Sequence, residues 1–237
     1  MIKRIFAIIA LLGAAGVLLP FVLYTPTGDA LPSLASEYIE KAPGDLGAAN
    51  LVTGIIVTYR GLDTLGEVAV LFAATAAVGL LLKRSGEGEI EGISHWRASE
   101  ILESGGGFLF PLIILYGVYI FLHGHLTPGG GFQGGVVIAT GFLLLLLSDG
   151  VDNFNHTVMS LVESLSGFIY VLTALAGLVL AAGFLDPRFL PRGEFGRLFS
   201  AGAIPVIYSL IGLKVGAELV GILDAMRCKV RREEVSS

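Results

Sequence analysis

Apolar positions in this chain come in long unbroken runs rather than in alternating or amphipathic patterns. Six such runs stand out, at about 4–24, 62–83, 107–124, 133–148, 161–184 and 199–224. Each is near the roughly 20 residues that an α-helix needs to cross the hydrocarbon core of a bilayer. The pattern predicts an all-α membrane protein with about six transmembrane helices. Between the third and fourth runs lies His123-Gly124-His125-Leu126-Thr127-Pro128-Gly129-Gly130-Gly131-Phe132-Gln133-Gly134-Gly135. Lipid cannot satisfy the N–H and C=O groups of irregular backbone, so at that depth it must be buried in protein or line a watery cavity. The stretch therefore reads as a glycine-rich, partly re-entrant turn packed against some other part of the chain or a partner.

The remaining segments are shorter. Residues 25–41, rich in Pro, Gly, Ser and Thr, read as loop. Residues 46–60 are mostly apolar but too short to span alone, and form either an interfacial helix or the front half of a broken one. Residues 83–103 make the longest cytoplasmic loop, with Gly86-Glu87-Gly88-Glu89 and the interfacial aromatic Trp96. The change of composition there marks a junction between two modules. Residues 186–197 read as an ordinary outer connection. The first run, led by Lys3 and Arg4, is longer than the roughly 7–15 residues of a signal-peptide core, so it reads as a retained helix.

Composition agrees with the class: 54% of residues are hydrophobic and 15% charged, against about 25% charged in soluble domains. The net charge of -5 points to no partner, and nothing resembles a nucleic-acid footprint. Cys228 cannot form an internal disulfide, being the one cysteine. Loop charge orients the helices. With the N-terminus cytoplasmic, that side holds Lys3, Arg4, Lys83, Arg84, Arg97, Arg227, Lys229, Arg231 and Arg232, and the other holds Lys41, Arg60, Arg188, Arg192 and Arg197. The bias places both termini inside a multi-pass cell-membrane protein.

Ionisable groups inside the runs are the candidate chemistry, because charge at membrane depth is costly and usually marks an ion or proton path. Arg60, Asp63 and Glu67 fall within about 60° of one helix face. Arg60 and Asp63 suit a solvated helix end, whereas Glu67 lies one turn deeper and must be paired or wetted. Lys214 and Glu218 stand at i, i+4 in the last run, either as a neutralising lock or as part of a charge relay. Gly212 and Gly216 beside them form a small-xxx-small pair for close helix approach. His123 and His125 are helix-end groups bonded to the glycine turn, or titratable groups lining a water path. As metal ligands they lack a third partner nearby. The turn's glycines supply positive-φ turns and close contacts rather than a phosphate cradle, since no lysine follows and no strand precedes them. Glu163 stands near the start of the fifth run, where the helix dipole favours a carboxylate, and Asp149 and Asp152 before it read as solvated. One cysteine and these histidines offer no haem or iron–sulfur spacing, so no cofactor is expected.

The stretch HGHLTPGGGFQGG, with GLKVGAELVGIL further on, resembles the B subunit of Mrp-type multisubunit sodium/proton antiporters, the MnhB-like domain. Upstream, Asn50-Leu51-Val52-Thr53 and Tyr59-Arg60-Gly61-Leu62-Asp63-Thr64-Leu65-Gly66-Glu67 are similar to the C-terminal end of the large A subunit of those complexes. The resemblance implies four parts. Residues 1–84 would be an A-tail-like segment with two transmembrane helices and a short helix, 85–104 a cytoplasmic linker, 105–225 an MnhB-like domain of four helices, and 226–237 a cytoplasmic tail. It also implies that Glu67 belongs to the ion path, with His123, Pro128, Gly129 and Phe132 as matched motif positions near it. Gly130, Gly131 and Gln133 complete the structural motif. The family often has an acid and an aromatic before the arginine; Thr58-Tyr59-Arg60 keeps only the aromatic.

The expected function is a non-catalytic membrane subunit of an Mrp-type module contributing to a Na+/H+ pathway. Its partners would be other antiporter subunits in a hetero-oligomer within lipid. The same module, by resemblance, recurs in ferredoxin-linked respiratory complexes, with hydrogenase-like or sulfur-reductase-like redox subunits as partners. A structural scaffold carrying no ions and a small self-sufficient permease are the rival readings.

Overall fold

The computed structural model describes residues 2–23, 32–85, 98–148, 155–181 and 183–235, and the regular structure among them is helical throughout. The chain divides into two compact units, 1–37 and 38–237. The first is built on α1 (Ile2–Leu23), whose Ile8, Leu11, Leu12 and Val17 are all exposed. A helix apolar on every side suits lipid rather than water. Helix α2 (Ser33–Leu46) corrects the expectation of loop over 25–41. Its Leu34, Tyr38, Ala42 and Leu46 recur every four residues, a helical stripe that outweighs the local Ser and Pro. Ala42 and Leu46 are buried within the second unit.

Residues 46–60 take the broken-helix form of the two expected. Asn50 caps α3 (Leu51–Gly54), its Oδ1 accepting the Thr53 N–H. A π-turn, Ile55–Tyr59, follows, and Arg60 then breaks the run before α4 (Gly61–Ser85). A π-turn inserts one extra residue per turn and is common at functional sites.

Helices α5 (Glu100–Leu122), α6 (Gly131–Leu147), α7 (His156–Leu180) and α8 (Ile204–Val235) complete the unit. Ser99 caps α5 at the Leu102 N–H, with Glu100 and Glu103 placed where the helix dipole favours acids. Asn155 caps α7 in the same way at Val158. Four described helices, α4, α5, α7 and α8, are long and apolar enough to cross a membrane; α6 and residues 8–17 of α1 are shorter apolar helices. Helix α8 is the axis of the unit and touches α4, α5, α6 and α7. Of its apolar stretch 61% is buried, against 6% for α4, most of whose surface the rest of the second unit leaves uncovered.

Helix α6 lies between α5 and α8 because two successive glycines remove the side chains from both seams. A Cβ at Gly134 would stand 2.7 Å from the Gly117 carbonyl oxygen of α5, and one at Gly135 2.8 Å from that of Gly212 on α8. Residues 183–203 are more than a connection. They fold over the end of the unit, with Leu185, Asp186, Pro187, Ser200 and Ala201 buried. Leu185 (φ 59°) and Ala201 (φ 62°) hold left-handed backbone, which costs a non-glycine residue about 1–2 kcal/mol. Leu185 is held there by packing against Gly61, where an added Cβ would come within 2.7 Å of its Cδ1. Arg192 donates to the Gly44 carbonyl at 2.8 Å and ties the same segment to α2.

Trp96, Asp149, Asp152 and the Gly86–Glu89 run lie outside the described residues, as does the side chain of Cys228.

Candidate functional site

The glycine turn is anchored by the front half of the broken helix. Asn50 Nδ2 donates to the carbonyls of Gly124 and Thr127, each at 2.9 Å, and the Asn50 N–H donates to that of His125 at 2.9 Å. Thr53 Oγ1 donates to the Gly124 carbonyl at 2.5 Å and accepts from Tyr208 Oη of α8 at 3.2 Å. Asn50 thus caps α3 with its oxygen and holds the turn with its nitrogens. These bonds answer what the irregular backbone packs against: residues 50–53 and α8.

None of the turn's glycines has left-handed backbone, which corrects the positive-φ part of the expectation. Close approach alone accounts for them. A Cβ at Gly124 would meet the Tyr208 ring at 2.6 Å, one at Gly129 the Ile120 carbonyl oxygen at 2.8 Å, and one at Gly131 Ile211 at 2.7 Å. Pro128 is exposed, Phe132 packs against the core and Gln133 faces outward with its Oε1 beside Gly130.

The two histidines differ. His123 ends α5, stacks on Tyr119 at 4.2 Å and donates from Nδ1 to the Tyr119 carbonyl at 3.2 Å. His125 is fully buried. With the proton on Nε2 it donates to the Arg197 carbonyl at 3.3 Å, and Nδ1 has no hydrogen-bond partner. Burial pushes its pKa below the usual histidine value, while the Arg197 carbonyl pulls it upward less strongly.

Next to the turn, Arg60 and Asp63 pair with each other at 2.6 Å on an exposed surface, as a solvated helix end would. Glu67 is also exposed, while Thr64 and Val68 face inward. A carboxylate expected to need pairing or water thus stands at the edge of the surface that α4 leaves uncovered. It remains within electrostatic reach of Tyr170 on α7 and Tyr208 on α8. Tyr170 is 1% exposed and its hydroxyl has no hydrogen-bond partner.

Deeper along the same seam, Lys214 Nζ meets Glu218 Oε1 at 2.7 Å, with Glu218 fully buried and its Oε2 without a hydrogen bond. Lys214 Nζ also lies 5.1 Å above the Phe72 ring of α4, and its side chain passes beside Gly167 of α7. Phe72 is five residues past Glu67, about 7.5 Å along α4, and Gly167 three residues before Tyr170, about 4.5 Å along α7. Glu163, one turn before Gly167, is half-buried and acts electrostatically on Glu218. From the turn end inward the α8 seam therefore carries Glu67 with Tyr170 and Tyr208, then Lys214, then Glu218 with Glu163.

The structure brings Glu67, Lys214 and Glu218 onto one seam, and holds His123 and His125 in the turn above it. Asp63 stays outside, paired to Arg60. Reading the sequence missed Tyr170 and Tyr208, which look like ordinary aromatics in apolar runs, and buried Asp224 near the far end of α8. Tyr208 carried no signal short of the fold. The polar Asn50-x-x-Thr53 at the start of an apolar segment is the signal that points to a cap and anchor there.

Comparison with known proteins places this geometry. Residues 101–221 match the family of domains related to the MnhB subunit of Na+/H+ antiporter, and residues 3–93 match the family of the MBH E subunit. An uncharacterized protein of Methanocaldococcus jannaschii is 30% identical over 212 residues, covering 79% of this chain and 80% of its own. The B subunit of the Na(+)/H(+) antiporter of Bacillus subtilis is 42% identical over 81 residues, 34% of this chain and 51% of its own. The A/B subunit of a probable K(+)/H(+) antiporter of Rhizobium meliloti is 30% identical over 63% of this chain, which spans only 17% of that protein. Among solved structures, a chain of the membrane-bound sulfane sulfur reductase, an archaeal respiratory membrane complex, superposes with a TM-score of 0.79 and 43% identity. The match covers 95% of this chain and 98% of that one. A chain of the Mrp complex from Dietzia sp. DQ12-45-1b shares the fold, with a TM-score of 0.74 at 24% identity over 94% of this chain and 26% of that one. This all-α membrane protein belongs to the family of domains related to the MnhB subunit of Na+/H+ antiporters.

Proposed function

We propose that the chain is a non-catalytic membrane subunit of an Mrp-type cation/proton translocation module, with Glu67 as the group that takes up and releases an ion or proton. The observation that carries this reading is the Lys214–Glu218 pair, buried at 2.7 Å inside a helix long and apolar enough to span a membrane. Charges held there usually serve an ion or proton pathway. Glu67 opens the same seam from the turn end, and His123 and His125 shape a hydrated approach on the outer side. Both termini are then cytoplasmic, and the chain crosses the membrane six times. The A-tail-like segment 1–84 supplies Glu67 and the turn's anchor, the linker 85–104 joins it to the MnhB-like domain 105–225, and 226–237 is the tail.

Glu67 is exposed within the second unit; in this reading another antiporter-type subunit closes the site, and Na+ and H+ are the expected cargo. The near end-to-end match with a respiratory-complex chain favours one host over a free-standing antiporter: a redox-driven complex whose electron chemistry lies in other subunits. Gentle detergent extraction followed by mass spectrometry of co-migrating chains decides between them. Iron–sulfur subunits identify the redox complex, antiporter subunits without them identify the exchanger, and an isolated chain would overturn the proposal. In vesicles carrying the intact complex, Glu67→Gln is expected to abolish cation-coupled proton movement while assembly is retained. Unchanged transport would leave only the scaffold reading.

A further inference from the structure

We propose that Phe72 is a positioning residue of the pathway: the face of its ring holds the Lys214 ammonium beside Glu218, a role that rests on the pathway reading above. Lys214 Nζ lies 5.1 Å from the centroid of the Phe72 ring, inside the roughly 6 Å within which a ring face attracts a cation. Among the described residues its one ion pair is the 2.7 Å contact with Glu218 Oε1, and no other oxygen bonds to it. An ammonium carries three donors. Buried in an apolar helix, it needs a second source of negative potential, and the ring face supplies one.

Three helices build this slot. On α4, Thr64 and Val68 are buried, and Phe72 follows at the same four-residue spacing, which brings its ring to the α8 side. On α7, Gly167 leaves room for the lysine stem; an added Cβ would stand 3.3 Å from Cδ and 3.5 Å from Nζ. On α8, Glu218 meets Nζ from one turn further on. The Phe72 ring is 52% exposed, so within the second unit it forms the outer edge of the slot. A leucine could cover the lysine there as well; what it lacks is the aromatic face.

That face matters most when Glu218 is neutralised. A cation or proton that reaches Glu218 along the pathway removes the counter-charge of Lys214, and a buried charge without its partner is strongly unfavourable. The ring keeps hold of the ammonium at that moment. Lys214 stays in the slot and pairs again with the carboxylate once the cargo leaves. Phe72 and Glu67 belong to one helix, so α4 both presents the exposed carboxylate and fixes the charge of the buried pair.

The test replaces Phe72 in the complete complex with phenylalanines carrying one, two and three ring fluorines, which weaken the negative face stepwise and nearly keep its shape. Cation-coupled proton movement in vesicles is expected to fall with each fluorine, about tenfold by the third, the size of one desolvated cation–π contact. Phe72→Leu is expected to lose as much, and Phe72→Trp, the best ring for a cation, to match or exceed the wild type. Thermal melting of the same complexes gives a readout apart from transport. The midpoint is expected to drop along the fluorine series and to stop depending on fluorine once Lys214→Met removes the cation. A flat fluorine series in transport overturns the proposal, and so does a fluorine dependence of melting that persists in Lys214→Met. If Phe72→Leu fails to assemble, the fluorinated rings, close to the natural size, still decide. Glu67→Gln in the same vesicles keeps the two claims separate. If it abolishes transport while fluorination does nothing, the positioning role falls and the pathway stands. If neither changes transport, the pathway falls as well.

Discussion

His125 shows how one side chain ties charge to architecture. Its ring is enclosed by the turn and the 183–203 segment, and its hydrogen bond to the Arg197 carbonyl uses one nitrogen. Burial lowers the pKa, so the folded state holds the imidazole neutral while the unfolded chain binds a proton near the ordinary value of about 6.5. The unfolded state then gains protons first as pH falls, and stability is lost below that pH. Thermal unfolding of the purified complex is expected to show a midpoint steady from about pH 8 to 7 and declining toward about pH 5. His125→Gln is expected to flatten that decline; an unchanged slope would mean another group sets it. The histidines and Glu67 were legible in the sequence as polar residues in or beside apolar runs. Which histidine is enclosed was not, because the covering carbonyl comes from Arg197, 72 residues away.

Among the elements, α6 carries the tightest constraint. It is short for a membrane helix and owes its place to Gly134 and Gly135, which let it meet α5 and α8 backbone to backbone. Gly135→Val would drive a branched side chain into the Gly212 carbonyl and Val215. Such overpacking typically costs about 1–3 kcal/mol, and the variant is expected to melt earlier in detergent and to yield less assembled complex. The long apolar helices could be read from run length alone. The helix over Ser33–Leu46 could not, because loop-like composition hid a four-residue stripe. The π-turn at Ile55–Tyr59 was equally hidden, since nothing in an apolar segment announces one extra residue in a turn. Residues 186–197 looked like a plain connection between two membrane runs for a related reason. The folded segment there, 183–203, depends on two left-handed residues, Leu185 and Ala201, held by contacts with distant parts of the chain.

At the scale of the molecule, the segment that contributes Glu67 and the domain that contributes Lys214 and Glu218 share one core from Tyr38 onward. Asn50 and Thr53 stitch them together through the glycine turn. The motifs of both segments were plain in the sequence, whereas this stitching depends on backbone carbonyls, which every residue has and no sequence distinguishes. The uncovered surface of α4 has a further consequence, for how much of the protein a cell can hold. With no neighbour over α4, the second unit would present a carboxylate to acyl chains, a defect expected to mark the orphan for removal. Pulse-chase labelling in cells lacking the neighbouring subunits is expected to show rapid turnover of this chain, and Glu67→Leu to prolong its lifetime there. The carboxylate proposed above to serve transport would then also act as a timer on the orphan, matching the supply of this subunit to that of its partners.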